Sequence, residues 1–451
     1  MAGRHPSFRE AAGFWLKLGF ISFGGPAGQI AIMHAELVEK RRWIGEDRFL
    51  HALNYCMLLP GPEATQLATY CGWLLHRTWG GIVAGTLFVL PGAVVLWALS
   101  WVYVRHGDVA WIAAVFYGLK AAVVAIVVAA VVRIGRRALK SGAKVAVAVM
   151  AFVAIFFLRV PFPMIVAVAA AVGFLGARWK AFAASDAAHH GHGKAGPGTS
   201  SSGSAAQPEA TFVIDDAHGS TGAVRPTWRR AAKVIAVSVT LWWAPVVVAG
   251  LWQGWDGVLV REGVFFSKAA MVTFGGAYAV LPYVAQNAVE QHGWLTAAQM
   301  LDGLGLAETT PGPLIMVLQF AGFLGGWNQA GSVGPLMMAT LGAAMTTWTT
   351  FVPCFLWIFL GAPHIERLRG NARLSAALST VTAAVVGVVL NLAVWFGVQV
   401  FFPGGWRSGA VDGFAVAVCA GAFVAMQWFR AGVVTVLAAS GVLGLLASRF
   451  G

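Results

Sequence analysis

The chain has 451 residues, 58% of them hydrophobic and 11% charged, with a mean hydropathy of +0.72. Soluble domains carry roughly 25% charged residues, so a water-soluble globular protein is excluded and the unit to count is the membrane span. Lys and Arg outnumber Asp and Glu by 31 to 18, a formal charge of +13. No basic stripe interleaved with aromatics lies on a soluble segment, which excludes nucleic acid as a partner and leaves anionic lipid or an anionic substrate.

In chain order, Arg4 and Arg9 precede an apolar stretch in the manner of a signal peptide, but Lys17 lies inside it and no small-residue cleavage site follows. It is read as a retained first span. With about 20 apolar residues needed to cross the hydrocarbon core, candidate spans fall at 11–33, 49–75, 80–104, 109–132, 144–158, 162–177, 231–251, 264–287, 299–325, 334–360, 374–401, 412–427 and 431–448. That makes about thirteen, and the predicted fold is an all-α polytopic membrane protein.

Residues 182–227 shift abruptly to Gly, Ser, Ala, Pro and His. Such a segment buries no core and is expected to be a disordered cytoplasmic linker between an N-terminal unit, 1–181, and a C-terminal unit, 228–451. His189, His190 and His192 within it read as solvated rather than metal-binding. Cys56, Cys71, Cys354 and Cys419 lie apart without a CxxC pair, so no metal site or disulfide framework is predicted. The Lys/Arg bias of the loops, concentrated around 133–144 and 225–233, places the N-terminus in the cytoplasm and the C-terminus outside.

Shifting the chain by 251 residues lays Phe14 on Phe265, Lys17 on Lys268, Phe23-Gly24-Gly25 on Phe274-Gly275-Gly276, Trp43 on Trp294 and Pro60-Gly61-Pro62 on Pro311-Gly312-Pro313, with 13 identities in the 49 ungapped positions 14–62. Shared FGG, Trp and PGP in one register mark an internal duplication. Six spans precede the linker and one extra span follows it, so the two copies enter the membrane from opposite sides. Inverted repeats with Gly/Pro-interrupted segments at matching positions are the architecture of secondary transporters.

Proline lacks an amide donor and restricts the backbone, so PGP at 60–62 and 311–313 predicts broken or re-entrant helices. A break exposes amides and a positive dipole end, a ready anion site; a simple kink is the plainer reading. The glycines Gly24, Gly25, Gly275 and Gly276 allow close approach of backbone to a ligand, or tight helix packing. Gly81 and Gly85 read as packing alone. Lys17 and Lys268, each seven residues before its FGG, supply substrate charge or snorkel to an interface. Glu63 directly follows the first PGP and Glu308 precedes the second by three residues. These acids gate or carry a proton, pair with a lysine, or cap a half-helix.

Taken together, ISFGGPAGQIAIMH (21–34), LNYCMLLPGPEATQLATYCGWLLH (53–76), GGIVAGTLFVLPG (80–92), FFSKAAMVTFGGAYAVLPYV (265–284) and GLGLAETTPGPLIMVLQFAGF (303–323) resemble the long-chain, two-domain members of the chromate ion transporter family. The resemblance implies an inner-membrane carrier that exports chromate, with sulfate as the related dianion, and so confers chromate resistance. It maps the family's motif positions onto Gly24, Gly25, Pro26, Pro60, Gly61, Pro62, Glu63, Gly275, Gly276, Glu308, Pro311, Gly312 and Pro313. Ala277 stands where a proline follows the first FGG, so the halves are not expected to be equivalent. No HExxH, GxSxG or dinucleotide fingerprint is present, so neither an enzyme nor a cofactor is expected. Expected partners are chromate, sulfate, membrane lipid and a second copy of the chain; an anion channel or a carrier of another oxyanion is the alternative.

Overall fold

The computed structural model describes residues 5–23, 25–107, 109–178, 212–214, 227–274, 276–362, 372–405 and 409–450. Gly24, Gly275, the three linker histidines and nearly all of the expected linker lie outside the described residues. Among the described residues the structure is helical, as an apolar chain in lipid requires, because a helix satisfies its own backbone polar groups.

The first half contains α1 (Phe8–Ile21), α2 (Gly25–His34) with a π turn Ala35–Lys40, α3 (Glu46–Cys56), α4 (Glu63–His106), α5 (Ala110–Ala138), α6 (Gly142–Phe156) and α7 (Phe162–Leu175). Then follow α8 (Trp228–Gln253), α9 (Val258–Val272), α10 (Ala277–Gln286) with a π turn Asn287–Gln291, α11 (Ala297–Thr309), α12 (Val317–Asn328), α13 (Pro335–Gly361), α14 (Ala372–Phe401), α15 (Gly413–Gln427) and α16 (Val433–Phe450). Local chemistry fixes several starts. Ser7, Ser141, Thr227 and Asp412 cap α1, α6, α8 and α15, and Thr296 with Gln299 forms a reciprocal capping box at α11.

The same series of elements recurs 251 residues on, down to the π turn that ends α2 and α10. One difference is informative. The helical run of α4 is continuous in sequence but reverses at His76–Arg77, where the backbone leaves helical geometry. Its two arms lie against each other through small residues: a Cβ on Gly72 would lie 2.4 Å from the Gly80 carbonyl oxygen, and one on Gly85 would lie 2.4 Å from Thr69 Oγ1. These arms correspond to α12 and α13, whose crossing is also made of glycines, Gly322 against Gly342 and Gly326 against Met338. Gly81 and Gly85 thus act in packing, as expected, and touch the Phe359 and Phe355 rings of α13 as well.

Four of the thirteen candidate spans contain a break, and two of these breaks fall at the PGP motifs, where broken or re-entrant helices are expected. The segments 11–33, 49–75, 264–287 and 299–325 are each two short helices around a break. Five helices among the described residues are long and apolar enough to cross a membrane, Glu63–His106, Ala110–Ala138, Trp228–Gln253, Pro335–Gly361 and Arg373–Phe401, with shorter apolar helices beside them.

Each broken pair leaves one level of the molecule and returns to it. Arg41, after α2, lies 4.0 Å from Glu10 and over the Phe14 ring, and Trp43 meets Phe14 edge-on, all near the start of α1. At the α4 reversal, His76 contacts the Pro6 carbonyl oxygen at 3.0 Å and the Phe8 ring. In the second half Arg261, early in α9, donates to Gln329 Oε1 at 2.7 Å, Gln329 Nε2 donates to the His292 carbonyl, and Trp294 packs on Phe265 and Phe266.

The halves are interleaved. α5 packs against α14, α15 and α16 of the second half, while α14 packs against α6 and α7 of the first. From within the expected linker, Ile214 forms a parallel bridge with Ile44: Val213 and Ile214 donate to the carbonyls of Arg42 and Trp43 at 3.2 Å, and Gly45 donates back to Ile214 at 2.8 Å. This short stretch is therefore paired to the turn after α2.

Candidate functional site

The tips of the four broken pairs carry the FGG and PGP motifs, and backbone hydrogen bonds tie them together across the halves. The Gly61 amide donates to the Thr273 carbonyl at 2.8 Å, and the Gly312 amide donates to the Ser22 carbonyl at 2.8 Å. These are the same bond twice, since 22 and 273, and 61 and 312, are both 251 apart. Gly61 and Gly312 have φ of +123° and +97°, a region that L side chains avoid. The flanking prolines have no amide, so the glycine supplies the one donor of each PGP turn.

Side chains brace the same turns. Gln29 Nε2 donates to the Gly312 carbonyl at 2.5 Å and Gln66 Nε2 to the Pro60 carbonyl at 2.8 Å. Each turn also lies against the long helix of the other half: a Cβ on Gly92 of α4 would sit 2.4 Å from the Pro311 carbonyl oxygen, and one on Gly61 would sit 3.2 Å from Cys354 Sγ of α13.

The electrostatic consequence follows from helix polarity. The tips combine the C-termini of α1, α3, α9 and α11 with the N-terminal ends of α2, α4, α10 and α12. Ser22 and Thr273, at the ends of α1 and α9, have their carbonyls occupied by the PGP amides. At the start of α4 the first-turn amides have no intrahelical acceptor, which leaves a positive end that favours an anion. The hydroxyls of Ser22 and Thr65 are buried there without a partner among the described residues.

The predicted residues divide into two groups. Gly25, Pro60, Gly61, Pro62, Gly276, Pro311, Gly312 and Pro313 lie at the joined tips, whereas Gly24 and Gly275 lie outside the described residues. Glu63 opens α4 half-buried, with no hydrogen-bond or ion partner among the described residues. Glu308 is buried and accepts a hydrogen bond from Tyr278, which follows the second FGG; Arg133 of α5 is within electrostatic reach of both. Glu308 is thus bonded to a tyrosine and not to a lysine.

Lys17 and Lys268 lie four residues before the ends of α1 and α9. Both are exposed, and their charges act toward the π turns. Lys40 bonded at 2.7 Å, then the charges of Arg41 and Lys17, hold the Glu36 carboxyl below the usual range. Burial, then Arg261 and Lys268, pushes the His292 imidazole below its ordinary value. Thr309 and Thr310, next to Glu308, donate to the Leu306 and Ala307 carbonyls of α11.

Sequence reasoning missed several residues. Ser22 and Thr273 are a hydroxyl pair in the repeat register, and that coincidence was the available signal. Asp302 is buried on α11, where it accepts from Tyr103 at 2.8 Å and pairs with Lys120 at 3.3 Å. Lys120 has no counterpart in the repeat, and its partner is 182 residues away, so no local pattern announces it.

The chromate transporter family model matches residues 9–174 and 262–445, one stretch in each half. The chain belongs to the chromate transporter family. Over 388 residues this family member is 32% identical to a chromate transport protein of Pseudomonas aeruginosa, covering 85% of this chain and 79% of that protein. It is 27% identical over 390 residues to a chromate transport protein of Cupriavidus metallidurans, covering 86% and 82%. Against a probable chromate transport protein of Synechococcus elongatus it is 25% identical over 412 residues, covering 88% and 86%. No solved structure matches the chain. With its long apolar helices, this chromate transporter family member is a multi-pass membrane protein.

Proposed function

We propose that the protein is a secondary carrier that moves chromate out of the cytoplasm across the inner membrane, with sulfate competing for the same site. The observation that carries this reading is the reciprocal pair of bonds, Gly61 to Thr273 and Gly312 to Ser22. Each half closes the breaks of the other, so a site lined by both cannot open to one side without altering the bonds made on the other. That is the mechanical requirement of alternating access at a fixed midplane site.

In this reading the four broken pairs are re-entrant hairpins and not spans. Those of the first half enter from the cytoplasm and those of the second from outside, and their tips meet in the middle. The bridge between Ile44 and Ile214 supports this, because counting 11–33 as a span puts these two residues on opposite sides. The long arm of α4, with α5, α8, α13 and α14, crosses fully. The unit boundaries near 181 and 228 fit the recurrence of elements around α8.

A tetrahedral dianion at the tips would meet the amides at the start of α4 and the hydroxyls of Ser22 and Thr65. Glu63 and Glu308 flank the same region and serve as gates, since a carboxylate there repels an anion until it is neutralised or moved. The exposed Lys17 and Lys268 lie on the first helix of each hairpin pair, where they raise the local anion concentration at the two entrances.

Uptake of radiolabelled chromate into everted membrane vesicles tests this reading. Saturable uptake, reduced by excess unlabelled sulfate and lost in Gly61→Val, is expected. Linear, potential-driven flux would instead mark a channel, and no chromate uptake by folded protein would reject the substrate.

A further inference from the structure

α9 carries a buried acid that the tip site does not use. Glu262 is 0% exposed, and neither carboxylate oxygen has a hydrogen-bond partner among the described residues. It lies across the crossing of α12 and α13, at the level of the Arg261–Gln329 bond. A Cβ on Gly325 would come within 2.4 Å of Glu262 Oε1, and one on Gly342 within 2.8 Å of Oε2. The carboxyl therefore occupies space that exists only because both positions are glycine. Two more polar atoms around this crossing are also buried without partners among the described residues, Trp294 Nε1 and Thr346 Oγ1. The repeat supplies no equivalent carboxylate: the position 251 residues before Glu262 is Ala11.

The surrounding charge is sparse. α12 and α13 bring no acidic or basic side chain to the crossing, and the basic residues of α8 (Arg229, Arg230 and Lys233) sit at that helix's far end. α10 and the turn after it contribute Tyr278, Tyr283, Glu290 and His292. Of these His292 stacks on Trp294 at 4.3 Å and Tyr283 tilts onto Phe265. On α9 itself, Lys268 is exposed, and Arg261 acts on Glu262 through space while bonding to Gln329.

We propose that Glu262 is a proton-binding site of the transport cycle, protonated while α9 is packed on the α12–α13 crossing and deprotonated when that packing opens to water. An ionised carboxylate without a donor does not persist in such a place, so the closed packing requires the neutral acid. On opening, the Glu262 O–H bond breaks and its proton passes to water, leaving the carboxylate; on reclosure a proton from water restores the acid. The far end of α9 is Thr273, which accepts the Gly61 amide. Proton occupancy at Glu262 thus biases the helix that closes the first PGP turn.

This inference rests on the carrier reading, and two measurements separate their failures. Infrared spectra of purified protein at neutral pH are expected to show a protonated-carboxyl carbonyl component that disappears in Glu262→Gln and persists in the surface control Asp47→Asn. In everted vesicles with an acidified interior, Glu262→Gln is expected to lose the stimulation of chromate uptake by the proton gradient, by about 5–150-fold as for linked sites generally. Its pH–rate profile is expected to flatten, which a merely structural glutamate would not cause. If the carboxyl component survives in Glu262→Gln, or the variant keeps the full gradient response, the inference is overturned while the carrier reading stands. If wild-type protein moves no oxyanion, the carrier reading falls and the coupling falls with it, whatever the infrared spectrum says about the proton.

Discussion

Single residues here carry charge into places that resist it, and the cost shows where a partner is removed. Lys120 and Tyr103 together hold the buried Asp302. Lys120→Met leaves the acid with one neutral donor and is expected to destabilise the protein by about 1–3 kcal/mol, read as a lower thermal midpoint in detergent. Adding Asp302→Leu removes the orphaned charge and is expected to recover more than half of that loss. His292, outside the spans, gives a pH prediction. Burial and the nearby cations hold its folded-state pKa below the ordinary 6.5. Its contribution to stability is present above that value and is lost as the pH falls through the folded value. Lowering the pH from about 7.5 to about 5.5, across the ordinary histidine range, should therefore reduce the thermal midpoint of wild type. His292→Gln should show a smaller reduction. An equal pH dependence in the two proteins would contradict this assignment.

At the scale of elements, glycine decides which helices approach. Gly92→Ala drives a methyl group into the Pro311 carbonyl, and backbone on both sides leaves no flexible atom to yield. The cost expected for such overpacking is about 1–3 kcal/mol, together with loss of transport, since the strain falls on the second PGP turn. Gly421→Ala, with nothing within 4 Å, is expected to keep both stability and transport. The breaks themselves were legible in the sequence, because Pro-Gly-Pro removes donors locally and its recurrence at a fixed offset marks both copies. The partners of those breaks were not legible. Nothing in a PGP tripeptide says that its glycine amide reaches the end of α1 or α9 in the other half, because that contact is made by the packing of distant helices. The same limit applies to Glu262, which a span count leaves just outside the predicted segment 264–287, and to the exposed position of Lys17 and Lys268.

For the whole molecule, hydropathy identified a polytopic chain correctly but could not register direction. A window sees apolar composition, and 14 residues of α1 followed by 10 of α2 look like one span of ordinary length. At about 1.5 Å per residue, α1 rises only about 21 Å, short of the hydrocarbon core. The ring contacts of Trp43 with Phe14 show the chain coming back beside its own start. The two geometries make opposite predictions for four positions. With 11–33 and 49–75 as spans, Arg42 and Arg77 face opposite sides; with re-entrant hairpins both face the cytoplasm. Likewise His292 and Gln329 face opposite sides if 264–287 and 299–325 are spans, and both face outward if they are not. Single cysteines at 42, 77, 292 and 329, in a background lacking Cys56, Cys71, Cys354 and Cys419, should be labelled by an impermeant maleimide in a two-and-two pattern. From outside intact cells, 292 and 329 are expected to react; from everted vesicles, 42 and 77. Labelling of 42 together with 329 from outside would restore the full-span count. It would instead make the breaks at Gly61 and Gly312 interruptions of full spans, with the two halves meeting there as discontinuous helices.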